Sequence, residues 1–175
     1  MILHYFIKKE SIDKKKSDKI YLSMINFTQL LVSKKTFNIK RNFNSSFELM
    51  TIFLFAIFFA YKKKIKNKDI NQYLMNLYII DLDKSLRELG IGDMSIGKYV
   101  KSYVKKFYYR ISKLEMIFTI NNFKEFDKYI NKIDIQNQSN NSMYLSKYLF
   151  IVVMDLLKRA KRNDLSKLTF KNSTN

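Results

Sequence analysis

Apolar residues recur along this chain mostly at steps of three and four, the spacing of one helical face. The cleanest run is Ile96–Phe118, apolar at 96, 100, 103, 107, 111, 114 and 118, which predicts one helix with one buried stripe. Ile20–Leu31 has a helical face at 20, 21, 24, 25, 27, 30 and 31. Ile70–Leu89 places Ile70, Leu74, Leu77, Leu82, Leu86 and Leu89 in the core, and Tyr144–Arg162 does the same with Leu145, Leu149, Val152, Leu156 and Ala160. Asn122–Ile133 is a shorter amphipathic segment, and Phe47–Tyr61 is apolar on every side. Between these lie a polar connection with a short helical turn (34–46), a basic linker (62–68) and a loop (136–142). There is no clean alternating run and no Asn-Gly or Asp-Gly pair, so strands are not expected. The pattern predicts an all-α fold, a single compact domain of about six helices at 20–165. A basic segment (1–19) precedes it and a frayed tail (166–175) follows.

All three glycines fall within eight residues, in the Gly-Ile-Gly-Asp turn between the two long central helices and just beyond it. Gly90 is placed to end one helix in a left-handed conformation, Gly92 to supply a positive φ, and Gly97 to let two helices approach closely. Asp69, with Gln72 three residues on, fits a capping box for the first of these helices, and Asp93 or Ser95 can cap the second. Arg87, Glu88, Asp93 and Lys98 cluster in sequence around the turn, more polar groups than a plain hairpin requires. A phosphate loop is not expected, because no Ser or Thr follows Lys98 and no strand precedes the glycines. Nor is a metal site: Asp81, Asp83, Glu88 and Asp93 are the carboxylates at hand, and residues two apart on a helix do not share a face.

Leu49–Tyr61 comprises thirteen uncharged residues between Glu48 and Lys62. Thirteen helical residues reach only about 20 Å, against the roughly 30 Å of a bilayer core. A core helix is therefore expected, with an interfacial helix as the alternative, resting Lys62, Lys63, Lys64, Lys66 and Lys68 on anionic headgroups. Met1–Ile7 is short for a signal sequence, and the first arginine is Arg41, unlike a transit peptide. The expected location is the cytoplasm, with the cytoplasmic face of the inner membrane as a variant of it.

Composition then narrows the chemistry. The 175 residues contain no cysteine, which excludes a disulfide scaffold, a thiolate zinc site, an iron–sulfur cluster and a cysteine nucleophile. The single histidine, His4, near one end of the chain, makes a poor general base, so no catalytic residue is assigned. The net charge is +18, with 28 lysines against 5 arginines, and residues 1–68 hold most of the excess. Asn, Ile, Lys, Phe and Tyr are over-used throughout, and all have AT-rich codons, which discounts the raw charge as evidence of function. What remains is an attraction to polyanions such as ribosomal RNA or acidic lipid, without the arginine-rich pattern of base readout.

Residues 86–98, LRELGIGDMSIGK, and 99–110, YVKSYVKKFYYR, resemble the ubiquinol–cytochrome c chaperone family, assembly factors for cytochrome b of respiratory complex III. IYLSMINFTQLL (20–31) is similar to that family's opening helix, and NSSFELMTIFLFAIFFAYKKK (44–64) to the helix before its basic linker. Two positions depart: Tyr109 stands where a glycine is usual, and Tyr99 where the family is often basic. The resemblance implies an all-helical, non-enzymatic chaperone without cofactor, metal or small-molecule substrate, whose client is newly made cytochrome b. Eukaryotic members work with a small partner subunit near the ribosomal tunnel exit, and short members of this length occur in alphaproteobacteria. Arg87, Glu88, Asp93, Lys98, Tyr99, Tyr109 and Arg110 are then the expected partner-binding set, with Lys62, Lys63, Lys64, Lys66 and Lys68 as a basic patch toward ribosomal RNA or an anionic membrane. The rival readings are a lysine-rich RNA- or ribosome-binding helical protein and a membrane-surface protein.

Overall fold

The structure, a computed structural model, describes residues 2–62, 68–137 and 142–161. Lys63, Lys64 and Lys66, the side chain of Lys68, most of the 136–142 loop and the 166–175 tail lie outside the described residues. Six α-helices follow one another: α1 (Ile2–Ser33), α2 (Phe43–Tyr61), α3 (Lys68–Glu88), α4 (Asp93–Thr119), α5 (Phe123–Lys132) and α6 (Ser142–Lys161). A 3-10 turn at Lys35–Phe37 supplies the short helical piece expected in the first connection. The all-α expectation holds.

α2 is the axis of the fold. Asn42 starts it, its Oδ1 accepting the Ser45 backbone N–H at 2.9 Å. Ile52, Phe53, Leu54, Phe55 and Ala56 are five consecutive residues with no exposed surface. Consecutive helical residues point in all directions, so this stretch is covered on every side. The cover comes from α1, α3, α4 and α6, all packed against α2. By length and composition alone α2 could cross a membrane. Its burial makes it the core helix expected from its length.

α1, α3, α4 and α6 each lay one apolar face on this axis, and α5 packs against α4 and α6. Ile70, Leu74, Leu82 and Leu86 of α3, Ile96, Phe107, Leu114 and Phe118 of α4, and Leu145, Leu149, Val152 and Leu156 of α6 are buried as their spacing predicted. Val100, Tyr103 and Ile111 complete the α4 stripe at its half-buried margin. Leu89 corrects the α3 reading: it follows the last helical residue and is 59% exposed, and Ile91 turns in against the core instead. α3 begins before Asp69, which lies in its first turn, and Gln72 donates to Asn76 at 2.9 Å. α1 extends the 20–31 helix far toward the N-terminus, and Tyr21 donates to Asp81 of α3 at 2.9 Å.

An isolated antiparallel bridge, Ile39 with Gln136, joins the α1–α2 and α5–α6 connections. Lys40 N–H donates to Ile135 O at 2.8 Å and Asn137 N–H to Asn38 O at 3.0 Å, above buried Ile39 and Ile135. The Lys40 ammonium meets Asp134 at 2.6 Å beside it. Pairing across a hundred residues leaves no local sequence signature.

Candidate functional site

The α3–α4 turn is built on hydrogen bonds that satisfy the end of α3. Gly90 N–H donates to Arg87 O at 2.8 Å and Ile91 N–H to Leu86 O at 3.1 Å, the paired pattern of a Schellman motif. Gly90 has φ +89°, the left-handed conformation expected of it. Gly92 and Gly97 correct the sequence reading. Gly92 has φ −72° and ψ 160°, an extended residue, and is the N-cap of α4 in place of Asp93 or Ser95. A Cβ at Gly97 would meet nothing within 4 Å, so no helix approaches it closely among the described residues.

Arg87 ties the turn together. Its Nε donates to Asp83 Oδ2 at 2.6 Å, one helical turn back, and its Nη1 donates to Asp93 across the turn. Hydrogen bonding to Asp83 and Asp93 holds the guanidinium pKa above its ordinary value. Glu88 and Lys98 stand outside this network and are exposed, as are Leu89 and Met94. Asp81 is engaged by Tyr21, so the four carboxylates do not converge. No cluster of three or more His, Cys, Asp or Glu is placed to hold a metal ion among the described residues.

On α4, Tyr99, Tyr108 and Tyr109 face solvent, 44%, 57% and 53% exposed, while Tyr103 and Phe107 turn inward. Arg110, expected at the partner surface, points into the fold. Its Nε reaches Glu48 Oε1 at 3.2 Å and Oε2 at 3.1 Å, and its Nη2 reaches Oε1 at 3.0 Å. Glu48 has no exposed surface and is met also by the Lys106 ammonium at 3.0 Å. Lys106 donates in addition to Asn44 at 2.9 Å and lies 4.8 Å over the Phe47 ring. Glu48 and Lys106 were missed as members of a polar centre. The available signal was a lone carboxylate inside an apolar helix, a residue type almost never buried without a partner. Tyr129 of α5 closes the centre, with the Arg110 guanidinium 5.8 Å from its ring. Burial, and secondarily the Glu48 charge, push the Tyr129 hydroxyl's pKa far above its ordinary value, with Arg110 opposing.

Tyr109 and Arg110 share one wall of an open groove of about 410 Å³ between α4 and α5, whose other wall carries Lys128 and Lys132. Lys62, the described member of the basic patch, is exposed and pairs with Glu115 of α4.

Residues 35–117 match the family model described as ubiquinol–cytochrome C chaperone. Over that stretch, a little under half of the chain, the sequence follows the pattern of this family. The match runs from the 3-10 turn almost to the end of α4, so it contains both the Arg87 turn and the Glu48 centre. It begins after the 20–31 segment and ends before α5 and α6. A solved structure titled "Crystal structure of the Cbp3 homolog from Brucella abortus" superposes with a TM-score of 0.74 over 98% of this chain and 97% of that one. At 20% identity that likeness is one of fold, and it covers α5 and α6, which lie beyond the matched segment. No curated protein matches the chain in sequence.

Proposed function

We propose that this protein binds newly made cytochrome b and assists its assembly into respiratory complex III, as a non-enzymatic factor. The observation that carries this reading is the family match over residues 35–117. The surface is consistent with it. A client helix leaving the ribosome in water needs apolar cover, and α4 offers exposed Tyr99, Tyr108 and Tyr109 beside the exposed Leu89 and Met94 of the turn. The Arg87–Asp83–Asp93 network holds that turn in one shape. Its place of work is the cytoplasm, at the inner membrane's cytoplasmic face. Lys98, Lys101 and Lys105 are exposed at helical spacing on α4 and favour a subsidiary contact with a polyanionic surface, ribosomal RNA or acidic lipid.

The test is affinity purification from the native host after gentle solubilisation, together with deletion. Cytochrome b is expected in the eluate, and deletion is expected to lower cytochrome b and complex III while sparing other respiratory complexes. Arg87→Ala and Asp93→Ala are expected to lower cytochrome b more than Lys63→Ala. Normal cytochrome b after deletion overturns the reading. Ribosomal proteins alone, released at high salt, replace it with charge-driven RNA binding.

A further inference from the structure

The groove between α4 and α5 combines two chemistries. Its apolar lining is open: Met116 is 64% exposed, Ile120 68% and Tyr109 53%. Its walls are cationic, with Arg110 and Lys113 on α4 and Lys128 and Lys132 on α5. Glu125 pairs with Lys128 at 2.7 Å and buried Glu48 pairs with Arg110 at 3.0 Å, so Lys113 and Lys132 carry the unbalanced charge of the groove. Lys113 and Lys132 form no ion pair among the described residues. Arg110 is fixed from behind by Glu48, so this wall cannot swing away.

We propose that this groove docks an acidic amphipathic helix of a protein partner. The α4 wall runs from 109 to 120, about 16 Å, the length of roughly three helical turns. A helix of that length, with an apolar stripe and carboxylates on both flanks, covers Met116 and Ile120 while meeting both cationic walls. RNA phosphates neutralise the cations and leave the apolar lining in water. This pairing stands apart from the cytochrome b reading, which is judged by what co-purifies.

The experiment uses the purified full chain and a fluorescein-labelled amphipathic peptide of about four helical turns, with a leucine stripe flanked by glutamates. A second peptide carries lysine in place of each glutamate. Anisotropy titrations are expected to show the acidic peptide bound at least about tenfold more tightly than the basic one. Lys113→Glu with Lys132→Glu is expected to abolish or reverse that preference. Both lysines are exposed, so the double variant keeps the wild-type melting temperature, which circular dichroism checks. Lys147→Glu, on exposed α6 surface, leaves binding unchanged. Equal affinity for the two peptides, or no effect of the double variant, overturns the proposal. Binding of phosphatidylglycerol vesicles that the double variant loses, without peptide binding, overturns it in favour of a membrane.

Discussion

Glu48 lies four residues before the fully enclosed stretch of α2 and has no exposed surface of its own. A carboxylate taken out of water loses several kcal/mol of hydration unless cations and hydrogen bonds replace it. Arg110 does so with a fork of three contacts, and Lys106 adds a fourth. Removing one partner of such a group is far worse than never having had the pair. Arg110→Met is therefore expected to destabilise the fold by about 3 kcal/mol, the low end of the usual range because Lys106 remains. Adding Glu48→Met removes the stranded charge, so the double variant should recover at least about 1 kcal/mol relative to the sum of the singles. Urea unfolding of the four proteins checks this, and additive losses would mean that the pair carries no coupling. The sequence showed both residues and hid their partnership. Sixty-two positions separate them, and the inward turn of Arg110 depends on where α4 crosses α2, which no local pattern records. The resemblance placed Arg110 in the partner-binding set, and nothing in its local sequence spoke against that.

The helices themselves were legible because apolar periodicity reports burial directly. α4 came out with its predicted stripe, and the all-round apolar character of α2 correctly marked a helix enclosed by others. Boundaries were less legible, since α1 extends well past its apolar face and Leu89 falls just beyond the end of α3. The turn between α3 and α4 was read correctly as a turn, and its three glycines separate by reason. Gly90 needs its positive φ, and a side chain there costs about 1–2 kcal/mol. Gly97 has neither a positive φ nor a close neighbour, and it sits inside a helix, where glycine is worse than alanine by about 0.5–1 kcal/mol. Gly90→Ala should therefore lower stability and Gly97→Ala should raise it by about those amounts. Thermal unfolding of the two variants decides the matter, and a loss at both positions would restore the close helix contact expected from sequence alone.

At the scale of the whole molecule, four buried tyrosine hydroxyls set the chain's response to alkali: Tyr21 reaches Asp81 of α3, Tyr78 reaches Thr51 of α2, and those of Tyr61 and Tyr129 have no hydrogen-bond partner among the described residues. Burial raises the pKa of Tyr21, Tyr61, Tyr78 and Tyr129 well above the ordinary 10.0. For Tyr21 the Asp81 carboxylate adds to it, and for Tyr129 the Glu48 carboxylate does. A tyrosine whose folded pKa is raised contributes stability that is complete below its unfolded pKa and is lost as pH rises beyond it. From neutral pH to about one unit below 10.0 these four groups are protonated in both states, and stability should not depend on them. Above that value the unfolded chain releases protons that the folded chain keeps, and each tyrosine removes up to about 1.4 kcal/mol per pH unit. A domain stable by about 5–15 kcal/mol cannot withstand four such losses for more than a few pH units. Denaturant unfolding from pH 8 to 12 should thus give a flat midpoint followed by a steep fall beginning near 10.0. Tyr21→Phe should make the fall shallower, because a ring that cannot ionise no longer links α1 to α3 in a pH-dependent way. A midpoint that stays level to pH 12 would mean that these hydroxyls ionise as freely in the fold as in water, and that the packing of α1, α2, α3 and α5 around them is looser than described.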